Sequence, residues 1–223
     1  MKTTSANPMN LLKSAAVMLI LLFSCSAFAQ NTDGGATKIM QDLAAKYKNF
    51  STMQIDYTYK VESNKKITTT FTGKAYIKGN KYYITFGNQY FYCDGASMWN
   101  YQKSTNEVSV YTYEESDDDA LNPAKMLKTW QKDFTAKYIR DDNERNRPVQ
   151  IIDLTPKKGQ SYYKIRIVVD KAKKEIVHTA LYEKNNTIYH YYFDKFATNV
   201  TISDNTFVFD KNKFPKVEVN DMR

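Results

Sequence analysis

His178, His190 and Cys93 are the residues best suited to acid–base, metal or thiol chemistry in this 223-residue chain. The two histidines stand twelve residues apart in β-patterned stretches, and no Cys or carboxylate pattern nearby completes a metal site. His190, inside Tyr189-His190-Tyr191-Tyr192-Phe193, reads as an ordinary sheet residue. The second cysteine, Cys25, falls in an N-terminal leader, so no intrachain disulfide is expected and Cys93 reads as a buried, inert thiol. The acidic run at 114–119 lacks the alternation of ligands that calcium loops show and reads as a solvated loop. There is no Gly-x-Ser-x-Gly elbow and no phosphate-binding glycine loop. A glycan-active enzyme needs only two carboxylates in space, but nothing singles two out. No enzyme activity, cofactor or metal is expected.

The leader is residues 1–29. Lys2 and Lys13 give it a positive start, residues 15–23 are an apolar run, and Ala27-Phe28-Ala29 precedes Gln30 as a small-x-small cleavage site. That pattern reads as a secretory signal peptide, with an apolar core too short to span a membrane. Lipidation at Cys25, after Leu22-Phe23-Ser24, is the alternative. Residues 30–223 then form a single domain. Eighteen Tyr and twelve Phe against seven Gly bias that domain toward β structure. The net charge of +8 is modest, and nucleic acid is excluded as a partner after export. A basic rim facing anionic lipid remains open beside a plainly solvated surface.

The elements that must position any site are mostly strands. Residues 81–113 alternate short aromatic runs with turn signals at Gly87-Asn88, Asp94-Gly95 and Ser104-Thr105-Asn106, which predicts antiparallel hairpins. Residues 53–62 are the cleanest strand: Met53, Ile55, Tyr57, Tyr59 and Val61 point one way and polar residues the other. Residues 67–78, 149–154, 161–170, 175–183 and 187–197 follow as strands, and Phe207-Val208-Phe209 as a last short one. Residues 141–147 read as a charged turn. Two amphipathic helices interrupt the β pattern. One spans 36–47, capped by Asp33 or Thr37; the other opens at Asn122-Pro123 with Met126, Leu127, Trp130 and Phe134 on one side. Short single-stripe helices of this kind lie over a sheet. The aromatic stripe makes either a solid core or the walls of an unfilled apolar hollow, and periodicity alone leaves both open.

Several segments carry a resemblance. These are Gly73-Lys74-Ala75-Tyr76-Ile77-Lys78, Asp94-Gly95-Ala96-Ser97-Met98-Trp99-Asn100-Tyr101, Asn122-Pro123, Leu154-Thr155-Pro156-Lys157, Phe207-Val208-Phe209 and Val219-Asn220-Asp221-Met222-Arg223. In order and spacing they make the chain resemble the periplasmic outer-membrane lipoprotein carrier (LolA-like) family. The resemblance implies a mainly β, α+β fold: an incomplete, strongly curved antiparallel β-barrel of about ten to eleven strands, with short helices as a lid over an apolar cavity. It implies a periplasmic, monomeric carrier. Such a carrier takes acylated lipoproteins from an inner-membrane lipoprotein-releasing ABC transporter and delivers them to an outer-membrane acceptor. A lipid- or lipoprotein-binding envelope sensor on the same fold is the alternative. The cavity residues this implies are Met40, Leu43, Tyr47 and Phe50 near the first helix and Met126, Leu127 and Trp130 on the second. Tyr57, Tyr59, Phe71, Tyr83 and Trp99 are implied on the sheet. One departure stands out. Gly79 sits where the family often has an arginine that holds the lid, which implies either a different latch or a permanently open cavity here.

Overall fold

The computed structural model describes residues 33–114 and 123–223, within one compact unit, Asp33–Arg223. The leader, most of the acidic run and the proposed cap Asn122 lie outside the described residues. The order of elements is α1 (Gly34–Lys48), β1 (Met53–Ser63), β2 (Lys66–Lys78), β3 (Lys81–Phe86), β4 (Gln89–Cys93), β5 (Ser97–Gln102) and β6 (Glu107–Thr112), followed by α2 (Pro123–Asp133). Then come β7 (Phe134–Glu144), β8 (Arg147–Pro156), β9 (Tyr162–Asp170), β10 (Glu175–Glu183), β11 (Thr187–Thr198) and β12 (Glu218–Asp221). Among the described residues no helix is long and apolar enough to cross a membrane.

All the strands join one twelve-stranded sheet, in the order β12-β6-β5-β4-β3-β2-β1-β11-β10-β9-β8-β7. The two ends, β12 and β7, do not pair, so the barrel is incomplete. Curvature comes from extra residues in single strands: Asp194 in β11, opposite Asp56/Tyr57 of β1, Ile139 in β7 and Val177 in β10. The alternation of β1 holds: Met53, Ile55, Tyr57 and Tyr59 are buried on the concave face, and Gln54, Asp56, Thr58 and Lys60 are not. Both helices lie over that face, and the main core of the molecule is between them and the sheet.

The structure departs from the sequence pattern at three places. The strand expected at 207–209 is absent. Residues Asp204–Phe207 form a 3-10 turn instead, and Phe209 packs on the convex face against Tyr92 and Tyr101. The chain then runs on to β12, which pairs parallel with β6, so the sheet is antiparallel except at this edge. The charged stretch at 141–147 is mostly strand. Asp141, Asp142, Asn143 and Glu144 extend β7, and the reversal falls on Arg145 and Asn146, both in the left-handed region with φ 51° and 60°. With β7 and β12 added, the count is twelve rather than ten to eleven.

Candidate functional site

The site follows from how α1 is fastened. Ala36, Met40, Leu43 and Tyr47 recur at helical spacing and are buried against the concave face. Asp33 caps the helix by accepting from Gly35 N at 3.1 Å, and its other carboxylate oxygen accepts from Tyr138 N of β7 at 2.9 Å. At the far end the Tyr47 hydroxyl accepts from Ile176 N at 3.1 Å. Burial pushes that hydroxyl's pKa well above its ordinary value, so it stays protonated at any physiological pH. Lys46 reaches the Lys173 carbonyl at 2.6 Å and the Glu175 carboxylate at 2.8 Å. These contacts tie α1 to the edge strand β7 at one end and to the start of β10 at the other. Gly79 takes no part. It has φ +59° in the β2–β3 turn, and a Cβ built there meets nothing within 4 Å. The polar contacts that fasten α1 are therefore those of Asp33, Lys46 and Tyr47.

On α2, Leu127 and Trp130 are buried in the same core and Met126 packs at its border. The sheet side of the core is a run of rings centred on Tyr59. Its centroid lies 4.7 Å from Phe71, 4.9 Å from Phe86 and 5.0 Å from Tyr191. Tyr57 stretches across Gly73 to donate to the Thr85 carbonyl at 2.6 Å. A side chain at Gly73 would stand 2.4 Å from that carbonyl and 2.5 Å from the Tyr57 ring. Glycine is thus what lets this ring lie flat across β2.

The structure brings together Met40, Leu43, Tyr47, Phe50, Tyr57, Tyr59, Phe71, Met126, Leu127 and Trp130 in one apolar cluster. Tyr83 and Trp99 do not join it. In β3 and β5 the concave positions are Tyr82, Ile84 and Phe86, with Met98 opposite Cys93, so Tyr83 and Trp99 point to the convex side. There they pack beside Tyr92, Tyr101 and Phe209. Both strands carry aromatics on both faces, so alternation alone does not say which face is inside. For the same reason sequence reasoning missed Phe86, Phe91, Tyr189 and Tyr191, which do line the concave wall. Phe71, Phe86, Phe91 and Tyr189 are only partly buried, so the aromatic wall continues beyond the cover of the helices. Beside α1 a surface groove of about 380 Å³ is lined by Ile39, Tyr138, Gln150, Lys38, Asp42 and Lys174, with Gly35 at its end.

The convex face holds the other departure. His178 and His190 face each other, and each also meets a carboxylate from a distant strand: Glu144 at 3.1 Å from His178 and Glu62 at 3.3 Å from His190. The carboxylates absent from the local sequence are supplied by the fold. Among the described residues no group of three or more His, Cys, Asp or Glu is arranged to hold a metal ion.

Comparison with known proteins adds four findings. A family model described as "Outer membrane lipoprotein carrier protein LolA" matches residues 25–176. An uncharacterized protein of Methanocaldococcus jannaschii is 23% identical over 138 residues, which is 61% of this chain; the chain spans 41% of that relative's length. A crystal structure of an uncharacterized conserved protein from Thermus thermophilus superposes with a TM-score of 0.56 at 8% identity, covering 84% of this chain and 99% of that one. A putative outer membrane lipoprotein-sorting protein domain from Vibrio parahaemolyticus aligns with a TM-score of 0.43 at 11% identity, over 81% of this chain and 98% of that one.

Proposed function

The chain belongs to the outer membrane lipoprotein carrier protein LolA family, and on that footing we propose that it is an envelope carrier that shields lipoprotein acyl chains on its concave face and moves them from inner to outer membrane. The observation that carries this reading is the cover of the concave face. A wide apolar wall is roofed by only two short helices, and α1 is fastened by a few polar contacts at its ends. Lifting α1 would bare Met40, Leu43 and Tyr47 and join them to the partly exposed aromatic wall around Tyr59.

The energetics fit a carrier. An acyl chain of about 16 carbons gains about 0.8 kcal/mol per methylene taken out of water, or on the order of 12 kcal/mol. Free release into water is then too slow to use. Exchange between a bilayer and an apolar protein face is close to neutral, so handover depends on exposing the face at the right moment. Met40, Met126 and the aromatic rings adapt to a flexible chain better than a rigid slot does. No bond is made or broken, so the protein acts without catalysis. The partners in this reading are acylated lipoproteins, an inner-membrane lipoprotein-releasing ABC transporter and an outer-membrane acceptor.

The test is release of an acylated lipoprotein from spheroplasts by the pure protein. Stoichiometric release supports the carrier. Acyl-chain binding without release would move the reading to an envelope sensor on the same fold. Neither binding nor release would end both.

A further inference from the structure

Four side chains on the convex face stand in a row: Glu144, His178, His190 and Glu62. The Nδ1 of His178 is 3.1 Å from the Glu144 carboxylate, its Nε2 is 3.1 Å from Nδ1 of His190, and the Nε2 of His190 is 3.3 Å from the Glu62 carboxylate. Every ring nitrogen is used. Both rings are buried, at 6% and 9% exposure. An ionised carboxylate only accepts, so each of the three contacts needs one proton on a ring nitrogen. Two neutral imidazoles supply two. One contact is then left without a proton: a ring lone pair faces either a carboxylate or the lone pair of the other ring. A third proton completes the row with one imidazolium shared between the rings. A fourth sets N–H against N–H at the middle contact and breaks it.

The surroundings supply charges on every side. Glu62 and Lys60 come from β1, and Glu144 and Arg145 from the β7–β8 hairpin. Tyr192 and Asp194 come from β11, Tyr182 from β10, and Arg166 and Lys164 from β9. The Tyr192 ring stacks on His178 at 4.0 Å, and Arg145 lies 4.4 Å from the same Tyr192 ring. Burial and the facing His178 push the His190 imidazole below its ordinary value of 6.5, while Glu62 and Glu144 pull it back.

The row adjoins the lid latch. Along β10, Glu175 holds Lys46, Ile176 N donates to Tyr47, and His178 joins the row. Only Val177 lies between, and Val177 is the bulged residue without a partner on β9. A strand that carries an unpaired residue there can shift locally without unzipping its neighbours.

We infer that the Glu144–His178–His190–Glu62 row is a proton-operated clasp for α1: with two ring protons one contact of the row is unmade and β10 can shift at Val177, loosening the Tyr47 and Lys46 contacts, and a third proton closes the row and holds the lid. The inference rests on the carrier reading only for what α1 covers.

The histidines are the only two in the chain, and the tryptophans are also two. The full protein with Trp99→Phe leaves Trp130 of α2, which lies in the core that α1 covers, as the single reporter. Between about pH 7.5 and about pH 5, acrylamide quenching of Trp130 is expected to fall about threefold, and the C2–H signals of both histidines to move through one common midpoint with it. His190→Phe should remove the pH dependence. Should that variant fold poorly, Glu62→Gln keeps an acceptor but removes the charge that favours the third proton, and the common midpoint should fall to lower pH. Histidines that titrate with separate midpoints insensitive to Glu62→Gln would overturn the inference. So would flat quenching while both histidines titrate. No cargo enters these measurements, so failure to bind acyl chains strikes the carrier reading and leaves this one standing.

Discussion

The two faces of β1, β10 and β11 are built from the same residue types and behave as opposites. On the concave face Tyr57, Tyr59 and Tyr191 pack ring to ring, 5.0–6.2 Å apart, with neighbours that are also apolar. On the convex face Tyr192 is one residue along from Tyr191, yet it packs on His178 and under Arg145. A tyrosine is apolar along its ring and polar at its tip, so alternation decides which end the protein uses. Around Tyr191 and Tyr192 the concave face is held by burial and the convex face by charge. Stress that acts on one should leave the other nearly untouched.

The largest effect is expected from charge placed under the lid. Leu43 and Leu127 are each 1% exposed, and Leu43→Lys or Leu127→Lys puts an unpaired cation there. The cost is about 3–5 kcal/mol, read as a fall in thermal midpoint together with loss of acyl-chain binding. Unchanged melting and binding would mean that the helices do not seal this face. Gly73→Ala comes next. The new methyl meets the Thr85 carbonyl and the Tyr57 ring at 2.4–2.5 Å, so the ring must leave its place, at about 3 kcal/mol. High pH attacks the same face. Burial raises the pKa of Tyr57, Tyr59 and Tyr191, with Tyr59 at about 12. In the unfolded chain these hydroxyls ionise near 10, so their contribution is complete below that and is lost as pH rises through the folded values. Phenolate absorbance from this group should therefore appear with unfolding and not before it.

Tyr47→Phe tests the latch. It leaves Ile176 N without its acceptor in a buried site, which costs about 1–2 kcal/mol. Hydrogen exchange should speed up across α1 more than across β1. Equal protection in both would mean that Tyr47 does not hold the helix.

How much of this the sequence carried depends on the range of each signal. The alternation of β1 and the stripe of α1 are local, and both were legible down to which residues face inward. The edge strand β7 was not. The helical stripe runs through to Phe134, and Asp141-Asp142-Asn143-Glu144 has the composition of a turn, although the turn itself falls on Arg145-Asn146. Charges on an edge strand protect it from pairing with other chains, which is why such a strand looks like a loop. The inward-facing residues of the helices were legible because a helix shows its inward face in its own spacing. Tyr83 and Trp99 were misplaced because strands with aromatics on both sides do not. The histidine row was invisible for another reason: Glu144 is 34 residues from His178, and Glu62 is 128 from His190. The pairing of β1, β11 and β10 brings Glu62 and the two histidines together, and the β7–β8 hairpin supplies Glu144.

The smallest effect sharpens the contrast most. Tyr192→Phe removes the same hydroxyl as Tyr47→Phe, one strand over from β10 and on the other face. The ring is what His178 and Arg145 touch, and phenylalanine keeps it. Stacking and the cation's attraction to the ring face both survive the change. The expected shift is within about 0.5 kcal/mol, the range of an ordinary surface substitution. Should Tyr192→Phe instead destabilise as much as Tyr47→Phe, the hydroxyl on the convex side must be bonded within the charged network. The two faces would then be held by the same kind of contact, and the division between burial and charge would fail.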